Sequence, residues 1–286
     1  MPAVGLPAIH KPLMATLDHI IILVPYSLLS NPSAFSSAFT IYPGGRHADN
    51  LTENVLILLK DDVYLELIAF TPGSESKRKN HWWGNKTEGM IIDWALTSSD
   101  VRDVEIVNDK LTPELRYSKP VAGGRTRPDG TDVKWKVTFP STEVVRGALP
   151  FWCHDVTPRE NRVPLKGSAK YTDHPSRAVG IKSITLAAPS DDVPRLKNAY
   201  SDILGVNEVY NKDARYEYTI KSPVEGFGNP TIAFNTAIST MEVKAVKHNG
   251  GPGICELVLR VDGEGQVPQP LEEKIGDGTI RIRFER

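Results

Sequence analysis

Apolar residues fall along this chain in short runs separated by turn residues. The first, at residues 17–25, reads LDHIIILVP. It predicts a buried strand, with an aspartate and a histidine at its mouth and a proline at its end. Asn31-Pro32 then offers a helix cap and a proline for the first turn, so a short helix is expected to about residue 39. The stretch YPGGRHADN reads as loop or short strand, and strands at 53–59 and 63–70 follow, joined at Asp61-Asp62. The order is strand, helix, three strands.

That order returns. Residues 89–100 read as a strand, and apolar positions 101, 104, 107 and 111 have helical spacing. A Gly/Arg-rich turn, GGRTRPDG, leads to strands at 133–139 and 149–156. A third copy starts at VGIKSITLAAPS. In its helix Val193, Leu196, Tyr200, Ile203 and Leu204 share one face, and Gly205 closes it. Strands are expected near 215–221 and 230–236. A fourth start, GICELVLRVDG, lacks a helix-length segment before the last strand, TIRIRF.

The four starts stack on a polar residue three positions before an aliphatic one: His19 and Ile22, Asp93 and Leu96, Ser183 and Leu186, Glu256 and Leu259. The chain therefore reads as α+β, with repeated βαβββ modules, the last degenerate, pairing into curled, cleft-forming mixed sheets. Two modules fill a first half at 14–160, the remainder fills 175–286, and a Pro-, Arg- and Lys-rich linker at about 157–177 joins them. Residues 1–13 read as an extension.

Composition narrows the classes. Of 286 residues, 40% are hydrophobic and 24% charged, the balance of a globular protein able to bury a sizeable core. A net charge of −1 without blocks of one sign gives no footprint for nucleic acid or an anionic membrane. No apolar run approaches the roughly 20 residues of a membrane helix. Two cysteines, Cys153 and Cys255, make no disulfide framework. Without a signal peptide the sequons at Asn50 and Asn85 read as chance, and a reducing cytoplasm is expected.

Candidate chemistry lies on strand faces. Alternation puts Tyr64, Glu66, Ile68 and Phe70 on one side of their strand, so Glu66 sits among apolar neighbours. His19 is expected to share a face with Leu17, Ile21 and Leu23. A buried, unpaired carboxylate is costly, and a cation relieves the cost. Structural readings stand beside this one. Glu66 on a solvent face, His19 bonded to backbone, Asp93 paired with an arginine and His154 at a loop edge would each need no metal.

LDHIIILVP, GGRHADNLTENVLILLKDDVYLELIAF, LPFWCHDV and HPSRAVGIKSITLAAP together resemble the vicinal oxygen chelate superfamily, and within it the glyoxalase-like proteins. The resemblance covers about 17–190. It implies paired modules around a cleft that, in metal-dependent members, holds a divalent ion between first and fourth strands. Carried over, the metal positions fall on His19, Glu66, Asp93 and His154, a donor set compatible with Zn, Ni, Mn or Fe. It implies a metal-dependent lyase or isomerase acting on a small carbonyl compound, with Glu66 and His19 as catalytic residues. The alternatives are a metal-free sequestering protein and an Fe(II) ring-cleaving dioxygenase.

Arg46, Arg125 and Arg127, in Gly-rich stretches, are candidates to grip a substrate carboxylate. His47 is placed at the cleft mouth, and Trp94, Trp135 and Trp152 are candidate pocket walls, though buried tryptophans are most often core. PGG and GGR lack the lysine of a phosphate loop. The expected partner is a small molecule, and the chain a monomer or homodimer.

Overall fold

The computed structural model describes residues 15–165, 169–206, 208–211 and 215–286. The first half of the chain forms a closed eight-stranded barrel. Its strands are β1 (Thr16–Leu23), β2 (Tyr42–His47), β3 (Thr52–Leu58), β4 (Tyr64–Phe70), β5 (Met90–Thr97), β6 (Val121–Thr126), β7 (Asp132–Thr138) and β8 (Phe151–Asp155). Around the barrel they run β1-β4-β3-β2-β6-β7-β8-β5. Each βαβββ module supplies a four-stranded curl. The two curls join through antiparallel β1–β5 and β2–β6 pairs.

The remaining strands are β9 (Ala178–Ala188), β10 (Val209–Asn211), β11 (Arg215–Thr219), β12 (Thr231–Thr236), β13 (Gly253–Val261), β14 (Leu271–Ile275) and β15 (Gly278–Glu285). They form an open sheet ordered β10-β11-β12-β9-β13-β15-β14. The antiparallel β9–β13 pair stands where β1–β5 stands in the barrel. The last module supplies three strands, so among the described residues no eighth strand closes this sheet.

Several expectations are sharpened. Residues 121–126 are strand β6 rather than turn; the turn follows, with Gly130 at φ +81°. The first helix is two single turns, Ser27–Ser30 and Ser33–Ser36. The helix Val193–Leu204 ends on Gly205 in the left-handed conformation, as its pattern predicts. The helix Thr240–Asn249, with a complete Ser239–Glu242 capping box, was not anticipated. Its single buried side chain, Ala245, leaves no apolar periodicity to read.

Strand alternation divides the core. Outward-facing barrel residues such as Leu65, Leu67, Trp94 and Trp152 pack with Ile184, Leu186 and Tyr200 of the sheet half. Inward-facing Ile21, Leu23, Ile68, Phe70, Ala95 and Phe151 fill part of the barrel. No described helix is long and apolar enough to cross a membrane.

Candidate metal-binding and substrate cavity

The barrel interior that is not filled forms a cavity of about 120 Å³. His19, His47, Asn54, Glu66 and Arg125 supply its polar surface. Trp82, Trp83, Trp135, Phe139 and Phe151 supply apolar walls.

His19 owes its aim to a β-bulge. The β1–β5 register shifts between Leu17 and His19, so Asp18 has no partner on β5. A bulge lets consecutive side chains escape strict alternation. Leu17 accordingly joins the outer core while Ile21 and Leu23 point inward, which corrects the expected shared face. The His19 ring stacks on Tyr64, with centroids 4.7 Å apart, and meets Phe151 edge-on.

Asp18, fully buried, takes a short hydrogen bond from His19 Nδ1. Arg162 grips it with a fork at 2.7 and 2.8 Å, and Arg159 adds a bond at 2.7 Å. Four donors thus fill the four acceptor positions of one carboxylate. Burial pushes the Asp18 pKa up, but the two guanidinium groups outweigh it and hold the carboxyl well below its usual range. With the proton on Nδ1, His19 presents Nε2 as a lone pair to the cavity.

That atom lies 3.5 Å from Glu66 Oε2, too far for a good hydrogen bond. Glu66 Oε1 accepts from Asn54 Nδ2 at 2.7 Å and lies 3.6 Å from His47 Nε2. The Asn54 amide is oriented by its other end, since its oxygen accepts from the Gly45 N–H and from Arg125, each at 3.1 Å. Its NH2 therefore also faces His47 Nε2, at 3.2 Å, and His47 Nδ1 donates to Thr52 Oγ1 at 2.6 Å. Burial lowers the His47 pKa, which keeps the ring neutral. Gly44 makes room for this amide: a Cβ there would fall 2.1 Å from Asn54 Oδ1.

The second module repeats the positions but not the residues. In the β1–β5 ladder His19 faces Ala95 while Asp93 faces Ile21, so Asp93 is the counterpart of His19. Glu66 pairs with Ile21, and Phe151 pairs with Ala95, so Phe151 is the counterpart of Glu66. His154 lies three residues further on and on the opposite face. It stacks on Trp152 and meets Ser98 Oγ at 3.0 Å, outside the cavity. Asp93 accepts from Trp83 Nε1 at 2.8 Å and from the Trp94 N–H at 3.0 Å. Burial raises its pKa to about 6. It anchors a cavity wall, and the four-residue metal set expected from the resemblance is not assembled.

Of the pocket candidates, His47, Arg125 and Trp135 line the cavity. Arg46 is exposed and paired with Glu53, and Arg127 binds Tyr42 and Asp129. Trp94 and Trp152 belong to the outer core, where register turns them away. Asp18, Asn54, Tyr64, His81, Trp82, Trp83 and Arg162 are site residues that the sequence reading does not assign to the site. Asn54 alternates with Thr52 and Leu56 on the strand face paired to Glu66, a signal that could have found it. Arg162 comes from the linker and carries no such mark.

The donor set fits a divalent ion at one place. His19 Nε2 and Glu66 Oε2 bear lone pairs toward the same space, at a separation that bonds of about 2.0–2.2 Å to each would span. His47 Nε2 lies 3.6 Å from the other Glu66 oxygen and faces the Asn54 NH2. Among the described residues one trio of potential ligands comes together, Asp18, His19 and Cys153, and it does not fit. Its carboxylate is saturated by arginines, and burial holds the Cys153 thiol protonated.

Residues 17–204 match the glyoxalase-like domain family. A search of curated proteins finds no match. Among solved structures, the chain is similar to a hypothetical protein from Staphylococcus aureus, at 14% identity and TM-score 0.65, covering 95% of this chain and all of that one. It is also similar to a mutant of 4-hydroxymandelate synthase from Streptomyces coelicolor, at 12% identity and TM-score 0.51, covering 88% of this chain and 72% of that one. These likenesses show the fold. With two βαβββ modules closed around one cavity and the family match spanning most of both, the chain belongs to the glyoxalase-like domain family of the vicinal oxygen chelate superfamily.

Proposed function

We propose that the barrel cavity is the site of a divalent-metal-dependent lyase or isomerase acting on a small carbonyl compound. The facing of His19 Nε2 and Glu66 Oε2, 3.5 Å apart in a buried cavity, carries this reading. A divalent ion held by this pair would supply Lewis acidity, polarising a substrate oxygen and acidifying the adjacent C–H. Glu66 would hold the ion through Oε2 at rest and release it to accept the carbon-bound proton there, while Asn54 fixes Oε1 so that Oε2 stays aimed at the cavity. Arg125 supplies positive charge beside Glu66 at the cavity wall. The tryptophan and phenylalanine walls exclude water from the reacting atoms.

The test is solvent-deuterium exchange into a panel of small hydroxyketones and hydroxyaldehydes, with protein loaded with Zn, Ni, Mn or Fe. The reading expects metal-dependent exchange, lost by about 10²–10⁴-fold in Glu66→Gln. Tight ligand binding with no exchange under any metal favours the sequestering alternative. His47, a second imidazole 3.6 Å from Glu66, supports a further reading, an Fe(II) oxygenase with two histidines and one carboxylate. Oxygen uptake with a catechol in Fe(II)-loaded protein decides for it.

A further inference from the structure

The segment after β8 does more than join the halves. Its single helical turn, Arg159–Arg162, sends both arginines under the barrel. Arg162 is 1% exposed and binds groups from both modules: Asp18 by a two-bond fork, the Tyr64 hydroxyl at 2.9 Å and Asp155 at 2.6 and 2.8 Å. Its backbone carbonyl accepts from Arg125 at 3.1 Å. Asp18 and Tyr64 are also the two groups that fix His19, one in the plane of the ring and one against its face.

We propose that Arg162 is a positioning residue for His19: by clamping Asp18 against Nδ1 it fixes the ring proton there and keeps Nε2 as the bare donor atom facing Glu66. Arg162 occupies both Asp18 oxygens, so the carboxylate cannot rotate away from the ring. Arg159, by contrast, reaches one Asp18 oxygen and is shared with Asp62. The inference rests on His19 being a cavity donor in the proposed function. The placement of its proton is nevertheless a property of the protein alone.

The experiment is ¹⁵N NMR of metal-free protein labelled at its seven histidines, with His19 assigned by loss of its signals in His19→Gln. The wild type is expected to show protonated Nδ1 and bare Nε2. In Arg162→Gln the proton is expected to distribute between the nitrogens. In Asp18→Asn the amide oxygen is expected to turn to Arg162 and the NH2 to Nδ1, which moves the proton to Nε2. Arg162→Lys, which keeps the charge but loses the fork, gives the same readout if Arg162→Gln does not fold. A His19 that stays protonated at Nδ1 in the folded Arg162 variants overturns the inference, as does a wild type protonated at Nε2.

Zinc affinity measured in parallel separates this inference from the functional one. Folded Arg162 variants are expected to bind Zn²⁺ roughly 10–100-fold more weakly. If the wild type binds no metal while the tautomer still follows Arg162, the functional reading fails and the positioning stands. If metal binds equally well with and without Arg162, the positioning fails.

Discussion

Asn54 is the residue on which the cavity's polar groups depend. Its amide joins Glu66 and His47 on one side to Arg125 and the Gly45 N–H on the other. Replacing it with leucine would leave a buried carboxylate and a buried guanidinium short of partners. Unsatisfied buried groups cost about 1–3 kcal/mol each. Urea denaturation of Asn54→Leu is therefore expected to show a loss of at least that size, together with loss of metal-dependent exchange. An unchanged midpoint would show that the network adds nothing to stability. His19 and Glu66 were legible because each broke an apolar run. Asp18 was visible as a letter, but its role was not: its partners are 141 and 144 residues away and lie in a linker. His81, Trp82 and Trp83 carry no such mark, because the irregular connection between β4 and β5 has no periodicity to show which way it folds. His81, neutral with its pKa pushed to about 4 by burial, nonetheless lines the cavity.

At the scale of elements, register decides what faces the cavity. The βαβββ repeat was readable from apolar runs, and aligning His19 with Asp93 agrees with the β1–β5 ladder. His154 was misplaced by three residues because an apolar run such as LPFWCHDV looks alike from either face. The β1 bulge was invisible for a similar reason, since an all-apolar strand hides a register shift. The paired glycines of β2 have a steric purpose. The β2–β3 register shifts between Pro43 and Gly45, and Gly44 sits against Asn54. Gly44→Ala would place a methyl group 2.2 Å from the Asn54 backbone oxygen. The expected result is destabilisation of about 1–3 kcal/mol, as for other overpacked sites, read as a lower thermal midpoint. A midpoint equal to wild type would mean that β2 yields without cost.

For the whole molecule, the barrel and the open sheet share one apolar core and a polar tie at Asp61. Its two oxygens accept from the Val63 and Ile181 N–H groups, linking the β3–β4 turn to β9. Burial raises its pKa from 3.8 to about 7. An acid with a raised folded-state pKa binds more protons folded than unfolded, so its contribution to stability is full below pH 4 and lost as pH rises to about 7. Asp93, at about 6, acts in the same direction. Stability measured by denaturant titration in Asp61→Asn is expected to fall less steeply than wild type across that window. Identical slopes would remove Asp61 as the source. The two arginines beneath the barrel, Arg159 and Arg162, could not be read from the sequence, because nothing in their spacing marks the carboxylate they bind.

The central claim is that His19 and Glu66 together hold a divalent cation. An anomalous difference map from crystals grown with Mn²⁺ tests it most directly. The account predicts one strong peak within bonding distance of His19 Nε2 and Glu66 Oε2, absent in Glu66→Ala. A map with no peak in the barrel, or one whose peak lies at Asp93 or His154, would contradict it.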